Sequence, residues 1–178
     1  MEHDSNIVPL ALQPPDKTIP IRLVRAEDLS ALRADCWSTR SVIHCKDLLR
    51  RILDAHKRKR GLGIVVEGET SNTVIAYGQL IYWTRCAEIS DLIVSSEQRN
   101  KGVGTAIIQY LIAHIQDPKP PCVEIGAAES NPRALKLYQR LGFQENYSIN
   151  LDIGQGKEKI IYLRLVFADY KNNGTGET

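Results

Sequence analysis

Arg99-Asn100-Lys101-Gly102-Val103-Gly104 is the stretch on which the reading of this chain turns. The residues before it, Glu88-Ile89-Ser90-Asp91-Leu92-Ile93-Val94, are β-rich, and those after it place Val103, Ile107, Leu111 and Ile115 at helical spacing, with Ala106 and Tyr110 beside them. The segment therefore joins a strand over 87–94 to a helix over 102–116. The first turn of a helix has N–H groups without intrahelical acceptors and a partial positive charge, and glycine removes the Cβ that would keep an anion off the main chain. Arg99 and Lys101 add cations. Anion binding is one reading of this stretch; a plain glycine-containing connection is the other. Spacing excludes two nucleotide motifs. A P-loop needs Lys then Ser or Thr after its last glycine, whereas Thr105-Ala106 follows Gly104; a dinucleotide fingerprint needs a small third residue where Ile107 stands.

Outward from this segment, Pro118, Pro120 and Pro121 close the helix and Cys122-Val123-Glu124-Ile125-Gly126-Ala127 follows as a short strand. Strand, helix and strand make one parallel crossover unit. Upstream, Ile21-Arg22-Leu23-Val24-Arg25 alternates as a strand does and Glu27-Asp28 opens a helix to about Thr39. A second helix carries Leu48, Leu49, Ile52 and Leu53 on one face, and residues 62–66 and 73–82 read as an antiparallel hairpin turned at Gly68, Ser71 and Asn72. Downstream, Asn131 and Pro132 start a helix that Gly142 stops, and 147–153 and 159–167 are the last strands, joined at Gly154-Gln155-Gly156. The expected fold is α/β: a mixed, mostly antiparallel sheet with one parallel βαβ unit and helices on both faces. Residues 1–19, with Pro9, Pro14 and Pro15, read as an N-terminal arm, flexible or laid along the surface; 20–167 as a single domain; 168–178 as a polar C-terminal tail.

A length of 178 residues suits one core, and 43% hydrophobic with 25% charged residues is the composition of a globular domain. The formal net charge of +2 is too small to argue for nucleic acid. Lys46, Arg50, Arg51, Lys57, Arg58, Lys59 and Arg60 read as a solvated helix face ending in cations, stopped by Gly61 and Gly63, in preference to an anion-attracting patch. No apolar run approaches the roughly 20 residues that cross a bilayer, and Met1-Glu2-His3-Asp4 lacks the basic start of a signal peptide, so the expectation is a cytoplasmic protein without a membrane partner. Cys36, Cys45, Cys86 and Cys122 form no C-x-x-C pair, which predicts reduced thiols and no zinc site.

With these pieces placed, Arg99-x-x-Gly102-x-Gly104 resembles the pyrophosphate-binding motif of the GNAT superfamily of CoA-dependent N-acyltransferases. Glu88 through Val94 resembles that family's central strand. Glu124 through Glu145 resembles its second cofactor segment, with Asn131, Ala134, Leu137-Tyr138 and Gly142-Phe143 in register. The likeness runs roughly from Ile21 to Phe167. It implies acetyl-CoA as cofactor, no metal, and a cofactor site made by Leu92, Ile93, Val94, Arg99, Asn100, Lys101, Gly102, Val103, Gly104, Thr105 and Asn131. It further implies that the N–H groups of Leu92 and Val94 take the thioester oxygen and the pantetheine amide, and that Tyr138 protonates or hydrogen-bonds the CoA sulfur.

Acyl transfer to an amine needs that amine neutral, yet a lysine-like amine with pKa about 10.4 is protonated at neutral pH. A carboxylate that accepts its proton, directly or through water, helps, and Glu88 is the candidate. A strand-end glutamate paired with Arg85 or facing solvent is the competing reading. Strand alternation sends Asp91 to the opposite face, unless a bulge intervenes. Tyr138 reads either as the acid of the mechanism or as core packing beside Leu137 and Leu141, and Asn131 as helix cap, cofactor contact or both. Trp37, Trp83 and Tyr82 read as core more readily than as pocket lining. Substrate selectivity is expected between Leu29 and Arg60 and at the Gly154 turn. The expected function is N-acetyl transfer from acetyl-CoA to a primary amine of a small molecule or a protein, with a non-catalytic acyl-CoA sensor as the alternative and a homodimer left open.

Overall fold

The structure, a computed structural model, describes residues 9–70, 72–152 and 156–167. Among these, seven strands form one sheet: β1 (Ile21–Leu23), β2 (Gly61–Glu67), β3 (Val74–Tyr82), β4 (Ala87–Val94), β5 (Cys122–Ala128), β6 (Gln144–Asp152) and β7 (Lys157–Val166). Their spatial order is β1-β2-β3-β4-β5-β7-β6. The parallel pair is β4 with β5, because the helix α3 (Val103–Ala113) crosses between them; β2 and β3, and β6 and β7, are joined by turns and run antiparallel. β4 and β5 stay paired only from Ala87↔Val123 to Ile89↔Ile125, although β4 runs on to Val94 and β5 to Ala128. Beyond Ile89 the two strands part, and that opening positions the site.

Helices cover both faces, as expected. On one side α3 and α4 (Pro132–Arg140) bury Ile107, Ile108, Leu111, Tyr138 and Leu141 against Ile89, Ile125, Leu163 and Phe167. On the other, a short α1 (Leu29–Ala31) that continues as a π-helical stretch (Leu32–Cys36), together with α2 (Val42–Lys57), encloses Leu32, Trp37, Leu49, Ile52 and Tyr77. The helix expected from Glu27 to Thr39 is thus a chain of short turns rather than one α-helix. α2 follows the expected pattern, started by Ser41, whose Oγ accepts from the His44 N–H at 3.2 Å.

Of the stripe expected on α3, Val103, Ala106, Ile107 and Leu111 are buried, whereas Tyr110 is half-buried. Ile115, also half-buried, lies beyond the helix, which ends at Ala113 and not near Gln116. Ile108, Gln109 and Ile112 are buried too. The reason lies in residues 9–12, which belong to the expected arm yet fold onto α3. Ala11 is fully buried and its N–H donates to Leu141 O at 3.0 Å, while Gln109 Nε2 donates to Leu10 O at 2.9 Å. A segment without periodicity gave no sign of this docking. Residues 1–8, the expected tail 168–178, Ser71 and the Gly154-Gln155 turn lie outside the described residues.

Two further expectations are corrected. Gly61 and Gly63 do not stop α2; they open β2, where a Cβ at Gly61 would meet Leu80 O at 2.6 Å and one at Gly63 would meet Ile52 at 2.8 Å. Close packing against β3 and α2 is what demands glycine there, and the left-handed residue after the helix is Lys59, at φ 55. Three of the seven cations of this stretch are paired within it, Arg50 and Arg51 with Asp47 and Arg58 with Asp54, as on a solvated helix face. The expectation of four reduced thiols also fails: Cys86 and Cys122 form a disulfide, whereas Cys36 and Cys45 are free. A sequence separation of 36 conceals that β4 and β5 start side by side, with these Cα atoms 5.0 Å apart. No helix among the described residues is long and apolar enough to cross a membrane.

Candidate active site

A cleft of about 680 Å³ lies between the open end of β4, the start of α3 and the exposed side of α4. Its floor is Leu92, Ile93 and Val94, and its walls include Arg99, Asn100, Gly102, Val103, Gly104, Thr105 and Asn131. These are the expected cofactor residues, with one exception. Lys101 does not line the cleft; its Nζ donates to Gln98 Oε1 at 3.3 Å. Asn100 and Gly102 both take the left-handed conformation, at φ 65 and φ 82, and this reversal turns the chain into α3. Ala106 is the first residue of the helix whose N–H finds an intrahelical acceptor, Gly102 O at 3.0 Å. The N–H groups of Val103, Gly104 and Thr105 are left to face an external acceptor. A Cβ at Gly104 would lie 3.4 Å from the Leu137 side chain, an ordinary contact, so α4 packs closely on α3 here without glycine being demanded. Arg99 Nε donates to Val94 O at 3.2 Å and pins the loop to the strand.

Sequence reasoning missed three residues. Arg133, Lys136 and Arg140 of α4 line the cleft beside Arg99, and no carboxylate does. Their spacing of three and four places them on one helix face, a signal that was present once α4 had been located. Asn131 caps α4, its Oδ1 accepting from the Ala134 N–H at 3.3 Å, and the residue also lines the cleft.

β4 carries a bulge. Tyr77 of β3 pairs with Ile93 and Gln79 with Ser90, so Asp91 and Leu92 together oppose Gly78. Asp91 sits at φ 50. The bulge overturns the expectation that Asp91 and Glu88 face opposite ways. Glu88 pairs across to Ile81 and Ser90 to Gln79, on the face of α1 and α2, and the Asp91 carboxylate accepts from Gln79 Nε2 at 3.1 Å on that same face. Past the bulge, the Ser95 N–H returns to Ile75 O on β3 at 2.9 Å. By alternation the N–H groups of Leu92 and Val94 point away from β3, into the gap beside β5.

Tyr138 and Glu88 are not side by side along the cleft wall. Tyr138 follows Leu137, a lining residue, but its own side chain is only 5% exposed and packs in the core near Phe143. Burial pushes its phenol up to about 12. Glu88 lies at the last paired rungs of β4 and β5, on the side of the sheet away from α3. It pairs not with Arg85 but with Trp83, which is 62% exposed and whose indole N–H donates to Glu88 Oε2 at 2.7 Å. Trp37, in contrast, is buried in the core. Next to Glu88 stands Glu124, held by Arg164 at 2.7 and 2.9 Å. Tyr147 and Tyr162 stack at 4.8 Å over the same strands, and the charges of Glu88 and Glu124 add to partial burial in raising the pKa of both phenols.

Residues 26–143 match the acetyltransferase (GNAT) family. The chain is 29% identical over 116 residues to thialysine N-epsilon-acetyltransferase of Bos taurus, covering 65% of this chain and 64% of that protein. It is 36% identical over 59 residues to an uncharacterized N-acetyltransferase of Methanocaldococcus jannaschii, but that match spans 33% of this chain and only 26% of the relative's length. In fold it resembles the spermidine N-acetyltransferase of Vibrio cholerae solved with CoA and spermine, with TM-score 0.68, 19% identity, and 88% and 100% of the two chains covered. The ribosomal-protein-alanine N-acetyltransferase of Brucella melitensis is comparable, with TM-score 0.68, 17% identity, and 83% and 99% covered. The match across 26–143, on a fold whose strand-to-helix turn borders a cleft lined by four basic side chains, makes this chain a member of the acetyltransferase (GNAT) family.

Proposed function

We infer that the chain is an N-acetyltransferase that moves an acetyl group from acetyl-CoA to a primary amine. The observation that carries this reading is the cleft, where free helix N–H groups and four basic side chains, with no carboxylate, lead to an opened β4 edge. The residues fit the cofactor. Val103, Gly104 and Thr105 N–H groups with Arg99 would hold the pyrophosphate, and Arg133, Lys136 and Arg140 add positive charge. Acetyl-CoA supplies the acyl group activated as a thioester. The N–H groups of Leu92 and Val94 are set to donate to its carbonyl oxygen as negative charge grows there, and donors already in place cost no reorganisation.

In the reaction a C–N bond forms and the C–S bond breaks; the ammonium proton goes to Glu88, and the further N–H proton that the nitrogen sheds on becoming an amide ends on the thiolate, giving amide and free thiol. Glu88 is the base of the proposal, with a carboxylate still open to a second donor beside the Trp83 N–H. Tyr138 at about 12 is a weaker acid than an ordinary thiol near 8.5, a gap worth about 5 kcal/mol against full proton transfer. Its phenol therefore serves as a hydrogen-bond donor to the departing sulfur rather than as the final source of the proton. On the acceptor side, Glu88, Glu124 and the stacked Tyr147 and Tyr162 favour a cationic amine, through carboxylate attraction and contact with aromatic faces. Relatives named for spermidine and for thialysine act on amines of that kind.

The test is release of free thiol from acetyl-CoA with a panel of spermidine, thialysine and a peptide with N-terminal alanine. Release with at least one amine, and a preference for the multiply charged ones, is expected. Tight acetyl-CoA binding with no release across the panel would overturn the reading and leave an acyl-CoA sensor.

A further inference from the structure

We propose that Asp91 is a positioning residue, held by Arg40 of the connection between α1 and α2, and that this ion pair sets the bulge that turns the Leu92 and Val94 N–H groups into the cleft. Asp91 takes a left-handed backbone, which an L residue adopts at a cost and keeps only where its surroundings fix it. Those surroundings are specific. Arg40 Nη2 donates to Asp91 Oδ1 at 3.0 Å, and Gln79 Nε2 donates to Oδ2 at 3.1 Å and to Ser90 Oγ at 3.0 Å. Gln79 Oε1 in turn accepts from the Tyr77 hydroxyl at 2.8 Å, and the Tyr77 ring stands edge-on to the buried Trp37, 5.1 Å away. Both partners of the ion pair are largely shielded, at 29% and 23% exposure, where a charge pair is less screened than at the surface.

On the other side of the sheet the bulge has a second support. A Cβ at Gly78 would meet Ile107 of α3 at 2.7 Å, so β3 is pressed against the helix where the extra residue of β4 must be accommodated. α3 fixes the bulge from one face and the Arg40 network from the other. Asp91 does not itself line the cleft, whereas Leu92, Ile93 and Val94 do. It acts through them, by choosing which backbone groups face the gap.

The inference rests on the acetyl-transfer reading, and two measurements keep the two apart. Amide hydrogen exchange in the free protein should rise about tenfold or more at Ile93 and Ser95, the amides that face β3 past the bulge, in Arg40→Ala and Asp91→Asn, relative to the amides of α3, with Arg40→Lys close to wild type. In the transfer assay, kcat should fall about tenfold in the same two variants, with the acetyl-CoA Kd within about threefold, and the double variant should be no worse than either single one. Unchanged exchange at Ile93 and Ser95 in Arg40→Ala overturns the proposal, as does a lowered Tm with kcat intact. A wild-type protein that transfers no acetyl group would refute the acetyl-transfer reading alone, because the exchange comparison still judges the ion pair.

Discussion

The cleft under α3 and α4 and the sheet face that carries Glu88 are assembled from different materials. In the cleft, the donors are main-chain N–H groups of contiguous residues, Val103 to Thr105, brought into position by left-handed turns at Asn100 and Gly102. On the Glu88 face, the groups are side chains drawn from four strands: Glu88 of β4, Glu124 of β5, Tyr147 of β6, and Tyr162 and Arg164 of β7. The cleft is positive throughout, the face mixed and aromatic. A main-chain site does not depend on which side chains surround it, while a side-chain site can be altered residue by residue without disturbing the first. That difference predicts that substitutions on one side leave the other's affinity untouched.

Tyr138 is buried in the core on the α3 and α4 side of the sheet, and its removal should have the largest effect. Tyr138→Phe is expected to lower kcat about 100-fold while leaving acetyl-CoA affinity within about twofold. Because burial raises this phenol to about 12, it stays protonated below that pH, so it should contribute no alkaline decline in rate below about pH 10. A basic limb near pH 8 that disappears in Tyr138→Phe would contradict this.

Gly102→Val comes next. At φ 82 a β-branched residue is strained even though no atom would touch its Cβ, so the loop must give up the conformation that presents the N–H groups. Acetyl-CoA affinity, read by calorimetry, should weaken about 30-fold with amine KM unaffected. Glu88→Gln should do the reverse, lowering kcat/KM for a cationic amine about tenfold and shifting its pH profile, with the acetyl-CoA Kd unchanged. A loss in both quantities would erase the distinction between the two regions. The smallest effect is that of Arg140→Ala, about threefold in acetyl-CoA affinity and smaller at high salt, since one exposed cation among several is strongly screened.

The same contrast explains what could be read before the structure was known. β4, β5, α3 and α4 announce themselves through periodicity, prolines and glycines, and their contiguous motifs located the cleft, with Lys101 included in error and Arg133, Lys136 and Arg140 left out. Features that need topology were invisible. The Cys86 and Cys122 pairing, the meeting of Glu88 with Glu124, and the stacking of Tyr147 on Tyr162 all depend on strands brought together by the order β4-β5-β7-β6. The bulge at Asp91 was hidden for a different reason: aspartate in the left-handed region is uncommon, and alternation assumes that it is absent. The docking of Ala11 under Leu141 was hidden because a three-residue turn has no period to detect.

The central claim is that acetyl-CoA sits on the main chain at the start of α3. Amide chemical shifts recorded while CoA is titrated into isotope-labelled protein address it most directly. The account predicts that the largest downfield changes fall on Val103, Gly104 and Thr105, with Leu92 and Val94 following when acetyl-CoA replaces CoA. Changes centred instead on the basic face of α2, or absent from residues 102–105, would contradict it.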